Sequence, residues 1–213
     1  MSRSVKVWDV PTRLFHWLLV GLVGAMWYTG QQGVLELHIR CGVLLLALLV
    51  FRLIWGVVGS QTARFSDFLR GPAAIRRYLA GDVSHAGHNP MGGWMVLVML
   101  TVLLTQVGTG LFASDVDSML YDGPLAHLAG GAAETMTAVH KLGVNILLLL
   151  VALHLAAIVF YRVVKKEALV PAMVTGRKAL PYGVTPPFFA PVWRAALCLA
   201  AAAGLVAAIL RFA

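Results

Sequence analysis

Five apolar segments, each close to the roughly 20 residues that a helix needs to cross a bilayer, constrain this chain more than any other feature. They run near Leu14–Gly30, Ile39–Val58, Gly92–Ala113, Leu142–Tyr161 and Pro191–Leu210. With 60% apolar and only 12% charged residues in 213, a soluble globular domain and a disordered chain are both excluded. The first segment follows Arg3, Lys6 and Arg13 but ends at the bulky Trp27-Tyr28 pair, where a signal peptide would need small residues for cleavage. It is therefore expected to stay as a transmembrane helix. Arg52 interrupts the second span near its end, where a long guanidinium stem is expected to snorkel to the interface.

Lysine and arginine set the orientation. With the N-terminus inside, fourteen fall on the inner side and only Arg40, Lys141 and Arg211 on the outer. That bias predicts five spans with the N-terminus in the cytoplasm and the C-terminus outside. Glu36, Asp115, Asp117, Asp122 and Glu134 fall outside. The net charge of +8 is then a basic face attracted to anionic lipid head groups, and no nucleic-acid partner is implied. Within the inner segments, Arg64–Ala80 interleaves arginine with apolar residues, as a short interfacial helix would.

The first outer loop, around Gln31–Leu37, is too short to fold alone, whereas Ser114–Thr137 is long, acidic and Gly/Ala-rich, the surface a partner would meet. Pro171, Pro181, Pro186 and Pro187 predict an extended linker over Leu169–Phe189, before a histidine-free fifth span suited to packing or partner docking. Cys41 and Cys198 belong to no C-x-x-C or C-x-x-C-H pattern, so neither a disulfide framework, a zinc site nor covalently attached haem is indicated.

Ionisable residues inside spans default to function, so the seven histidines carry most of the information. His85, His88 and His127 read as solvated or capping residues outside the bilayer core. In the stretch around them, Asn89 can cap the third span with Pro90 as its first residue, and His88 lies at that helix mouth, within reach of a quinone head group or a haem edge. The other four form a pattern. His140 and His154 are 14 residues apart on one predicted helix, which is about 21 Å along its axis and within about 40° of one face. His16 lies near the inner end of the first span and His38 at the outer end of the second.

Topology then pairs His16 with His154 on the inner side and His38 with His140 on the outer. Two bis-histidine pairs stacked across a bilayer are what two b-type haems require, since neutral imidazoles bind iron axially. Zinc is the rival metal, but no Cys, Asp or Glu is placed to complete either pair. Hydrogen bonding between helices would explain a single such histidine, and four at matched depths argue against it. Gly21, Gly24 and Gly42 remove bulk, as either a macrocycle or close helix packing would require. Arg40 and Lys141 can pair with propionates on the outer side, and Arg13 and Arg162 on the inner; snorkelling is the alternative for all four.

The sequence resembles the prokaryotic cytochrome b-561 family, which includes the haem b subunit of nickel-iron hydrogenases. The likeness rests on VWDVPTRLFHW (Val7–Trp17), LELHIRCG (Leu35–Gly42), FRLIWGVVGSQTARFSDFLRGP (Phe51–Pro72), GHNPMGGWMV (Gly87–Val96) and VHKLGVN (Val139–Asn145), with His154 downstream. It covers the chain to about Arg177. The resemblance implies an all-α membrane bundle: a four-helix haem-binding core over residues 1–177, with the linker and fifth transmembrane helix over 178–213 as an addition. It also implies axial ligation by His16, His38, His140 and His154, and electron exchange between a quinone pool and a partner or small oxidant.

The expected function is a di-haem electron carrier between quinone and a periplasmic c-type cytochrome or oxidoreductase subunit, with Trp17 and His88 as the candidate quinone site. Two readings compete with it. One is a superoxide oxidase type of enzyme working at the outer haem, where Lys141 or Arg40 would draw an anion. The other is a non-haem membrane protein using the histidines as a proton relay.

Overall fold

The computed structural model describes residues 2–81, 86–114, 122–181 and 183–213. In chain order these form β1 (Ser2–Lys6), α1 (Val10–Gln31), α2 (Leu35–Val58), α3 (Phe65–Phe68), α4 (Pro72–Leu79), α5 (Pro90–Phe112), α6 (Ala126–Ala129), α7 (Ala133–Val163), α8 (Leu169–Thr175), β2 (Arg177–Pro181) and α9 (Val192–Ile209). The five expected spans are α1, α2, α5, α7 and α9, each long and apolar enough to cross a membrane. Proline enters these helices only at their starts, as Pro11 and Pro90, where the missing N–H costs no intrahelical bond. Leu148, Leu149, Leu153, Leu155 and Val159 on α7 stay exposed, which suits a helix whose outer solvent is lipid. The chain is an all-α membrane helical protein, with β1 and β2 the departure from pure helix among the described residues.

The chain divides into two compact units. The first takes in the residues up to His16, Arg52–Val98 and Ala152–Cys198. Here β1 pairs antiparallel with β2, Ser2 opposite Pro181 and Lys6 opposite Arg177. Val5, Val7, Trp8, Ala172 and Leu180 close into a buried cluster beside this ladder. Asp9 caps α1 by accepting the Thr12 N–H at 2.7 Å, and its other oxygen accepts the Trp55 indole N–H at 3.2 Å. Asn89 caps α5 in the predicted way, accepting the Gly92 N–H at 2.7 Å.

The second unit comprises Trp17–Phe51, Met99–Val151 and Leu199–Ala213. Its loop after α5 is stitched back onto that helix: the Gly123 N–H donates to Ala113 and the Leu125 N–H to Leu111, at 2.7 and 2.8 Å. Thr137 on α7 fixes Ser114 by bonds to both its N–H and its carbonyl.

Four expectations meet a different structure. The helix expected over Arg64–Ala80 is split into α3 and α4, because Pro72 cannot donate an N–H and holds Gly71 extended at ψ 172°. The expected linker over Leu169–Phe189 contains α8 and β2; Pro171 is tolerated because it lies in the first turn of α8. The long outer loop already turns helical at α6, and α7 starts at Ala133 rather than Leu142. Arg52 does not snorkel. It is only 2% exposed, enclosed by the rings of Phe15, Phe65 and Phe68.

Candidate functional site

In the second unit His38 stands in the first turn of α2 and His140 on α7. The Nδ1 of His38 lies 2.9 Å from the Met26 carbonyl on α1, and the Nδ1 of His140 lies 2.8 Å from the Gln106 carbonyl on α5. A carbonyl can only accept, so Nδ1 carries the proton in both rings and Nε2 keeps its lone pair. The ring centroids are 6.1 Å apart and the planes 85° from parallel. Metal–imidazole bonds of about 2 Å on each side, as measured for zinc, would put two ring centres about 6 Å apart, so the spacing fits a metal between two axial nitrogens.

The two rings are seated alike. In Met26–Gly30 and Gln106–Gly110 the acceptor carbonyl lies four residues before a glycine, and a threonine, Thr29 or Thr109, sits between them. A Cβ on Gly30 would come within 3.3 Å of the His38 ring, and one on Gly110 within 2.7 Å of the His140 ring. Each glycine therefore makes room for an imidazole to reach the backbone. The threonine hydroxyls lie 3.3 and 3.4 Å from the same Nδ1 atoms. The Gln106 side chain, buried on α5, adds a second tie by donating to the His140 carbonyl at 3.0 Å. A largely apolar cavity of about 300 Å³ opens at the pair, lined also by Gly42, Val107 and Lys141.

In the first unit His16 lies on α1 and His154 on α7, each half-buried and within electrostatic range of the other. His88, just before α5, is wedged edge-on against Trp8 at 4.6 Å and tilted over Phe68 at 4.8 Å. Burial first, and then the nearby charge of Arg52, holds its imidazole far below the ordinary value, so it is neutral at pH 7.

Residues 7–176 match the prokaryotic cytochrome b561 family. The chain belongs to that family. It is thus a multi-pass membrane b-type cytochrome of electron transfer, with haem b as its cofactor. A "Probable Ni/Fe-hydrogenase B-type cytochrome subunit" of Rhizobium leguminosarum bv. viciae is 20% identical, the match covering 83% of this chain and 89% of that one. No solved structure matches.

Against the needs of a b-type cytochrome the remaining candidates sort as follows. Lys141 is exposed beside His140 and lines the cavity. Arg40 is engaged with Glu36 in an exposed ion pair one turn away on α2. Arg13 donates to the Val174 carbonyl at the end of α8, while Arg162 and Trp17 are exposed. His127 is exposed on α6; His85, Asp115 and Asp117 lie outside the described residues. Sequence reasoning missed the Met26 and Gln106 carbonyls, Gly30 and Gly110. The signal that points to them is the Thr-Gly pair near the end of the first and third spans, each facing a histidine.

Proposed function

We propose that this cytochrome carries two haems b and moves electrons across the bacterial cytoplasmic membrane between a quinone pool and a redox partner. One observation carries the reading: His38 and His140 each commit Nδ1–H to a helix carbonyl, leaving Nε2 as the donor atom of two rings 6.1 Å apart. Haem b supplies one-electron chemistry at its iron when bound. The chain's part is to fix the ligand tautomer, hold the rings and keep the site dry. His16 and His154 are the proposed axial pair for the second haem, and Lys141, Arg40, Arg13 and Arg162 are the cations available to propionates at the two pairs.

The positive-inside bias supports an N-terminus in the cytoplasm and a C-terminus in the periplasm, with the His38/His140 pair towards the periplasm. Quinone would then meet the protein near Trp17 and His88. The name of the rhizobial relative favours a redox enzyme of the hydrogenase type as partner, and the acidic stretch that includes Asp122 and Glu134 equally suits a c-type cytochrome with a basic docking face. Lys141 at the cavity also gives a second reading some support, in which a small anion such as superoxide is oxidised at that haem.

The deciding experiment is a pyridine haemochrome assay with protein quantitation on the detergent-purified chain. Two haems b per chain are expected. One haem refutes one histidine pair, and none refutes the reading. Turnover of superoxide with quinone, in the absence of any protein partner, would select the second reading.

A further inference from the structure

Arg52 is a buried cation with no direct ion pair among the described residues. Its guanidinium carbon lies 4.9 Å from the centre of the Phe65 ring, 5.8 Å from Phe68 and 5.9 Å from Phe15. Aromatic rings attract the cation through their faces but give its N–H groups no strong acceptor. Among the described residues no carboxylate comes within 4.0 Å of it, and its Nη1 is buried without an acceptor. Asp9 is the acid it feels. Each Asp9 oxygen accepts one neutral donor, the Thr12 N–H or the Trp55 indole N–H, and neither forms an ion pair with Arg52.

A buried charge without a direct ion pair is costly in any protein and more so within a membrane. The site therefore calls for an anion that reaches the free edge of the guanidinium. Its surroundings say which. Phe15, against Arg52, immediately precedes His16, and His88 shares the Phe68 ring with Arg52. His88 has Arg52, His16 and His154 all within electrostatic range. Arg52 thus belongs to the same side-chain cluster as the proposed ligands of the second haem. The spacing agrees: His38 and Arg52 are 14 residues apart on α2, as His140 and His154 are on α7. By the helical period, α2 offers a guanidinium at the step where α7 offers a ligand. Of the inner arginines expected to meet a propionate, Arg13 gives one donor to the Val174 carbonyl and keeps a buried Nε without an acceptor, and Arg162 is exposed.

We propose that Arg52 anchors the haem at His16 and His154, pairing its guanidinium edge with a haem propionate. It is a positioning residue, and the inference rests on the di-haem reading above. The fixed positive charge also has a direction: it favours the reduced iron, so Arg52 raises the potential of that haem.

The test uses purified holoprotein with Arg52→Gln and Arg52→Lys beside the parent. Haem per chain, a two-wave potentiometric titration and the resonance Raman propionate bending bands are measured on each. In Arg52→Gln, two haems are expected to remain, with one wave falling by at least tenfold in the reduced-to-oxidised ratio, which is about 59 mV for a one-electron couple. The propionate band of that haem should move as well. Arg52→Lys should recover most of the potential but not the band, because an ammonium lacks the fork. Two bound haems with neither wave nor band altered would overturn the anchor and leave the di-haem reading standing. Fewer than two haems in the parent would overturn the reading itself. Should Arg52→Gln not accumulate, the band in Arg52→Lys decides, and an unmoved band there overturns the proposal.

Discussion

The rings of His38 and His140 stand 85° from parallel with their centroids 6.1 Å apart. Each plane is held by a bond from its Nδ1–H to a backbone carbonyl, so the angle is a property of the fold. With these rings as the proposed axial pair, perpendicular imidazoles would leave the two π-type d orbitals of a low-spin ferric iron nearly degenerate. The oxidised protein is expected to show a single, strongly low-field-shifted EPR feature from this haem. A rhombic three-line spectrum from it would mean that the rings turn when iron binds.

Gly110 and Gly30 do the same work under different tolerances. A Cβ on Gly110 would sit 2.7 Å from the His140 ring, closer than such contacts occur, whereas one on Gly30 would sit 3.3 Å from the His38 ring. Gly110→Ala should push the imidazole off the Gln106 carbonyl and cost the protein that haem. Gly30→Ala should keep it with a shifted Soret band. Haem per chain and reduced-minus-oxidised spectra of the two variants check this, and equal retention would refute the steric argument.

Ligand substitutions separate the pairs. His16→Ala or His154→Ala should remove one haem and leave the His38/His140 EPR feature; His38→Ala or His140→Ala should remove that feature and leave the other haem. Any of the four variants that retains two haems overturns the assignment of that histidine.

The spans and the Asn89 cap were legible because each depends on local pattern. What was not legible depends on partners distant in the chain. Ser2–Lys6 carries no strand signal of its own, and its partner lies some 175 residues on at Arg177–Pro181. The histidines were visible, but the Met26 and Gln106 carbonyls that set their tautomers belong to other helices and have no side-chain signature. Arg52 was misread for the same reason: the near-end position that suggests snorkelling says nothing of Phe65 and Phe68, which fold back over it.

His88 gives a pH dependence with a definite sign. Burial holds its folded-state pKa below the unfolded value of about 6.5, so below that pH the unfolded chain takes up a proton that the folded chain excludes. Its contribution to stability is present above about pH 6.5 and is lost as pH falls through the window beneath. His88→Leu keeps the contacts with Trp8 and Phe68 and removes the titration. The gap in thermal stability between parent and variant should therefore shift towards the variant between pH 7.5 and 5, both roughly bracketing that reference value. A gap constant with pH would show that His88 is solvated.

Gly176 joins three pieces of the first unit through one left-handed residue. At φ 79° it ends α8, with its N–H donating to the Ala172 carbonyl at 2.8 Å. Its own carbonyl then accepts the N–H groups of Val7 and Trp8, at 2.8 and 3.1 Å, where the chain passes from β1 towards α1. A Cβ there would lie 2.8 Å from the Trp8 carbonyl in a backbone region that disfavours side chains. Gly176→Ala should cost about 1–3 kcal/mol, with strain in the α8 cap and loss of the two bonds acting together. The expected result is a lower temperature for loss of Soret absorbance in detergent, with haem content before heating unchanged. Gly183, also at positive φ but with open space around its missing Cβ, is the control: Gly183→Ala meets only the backbone preference and should cost less. An equal loss in both variants would remove Gly176 from its place as the joint between β1, α1 and α8.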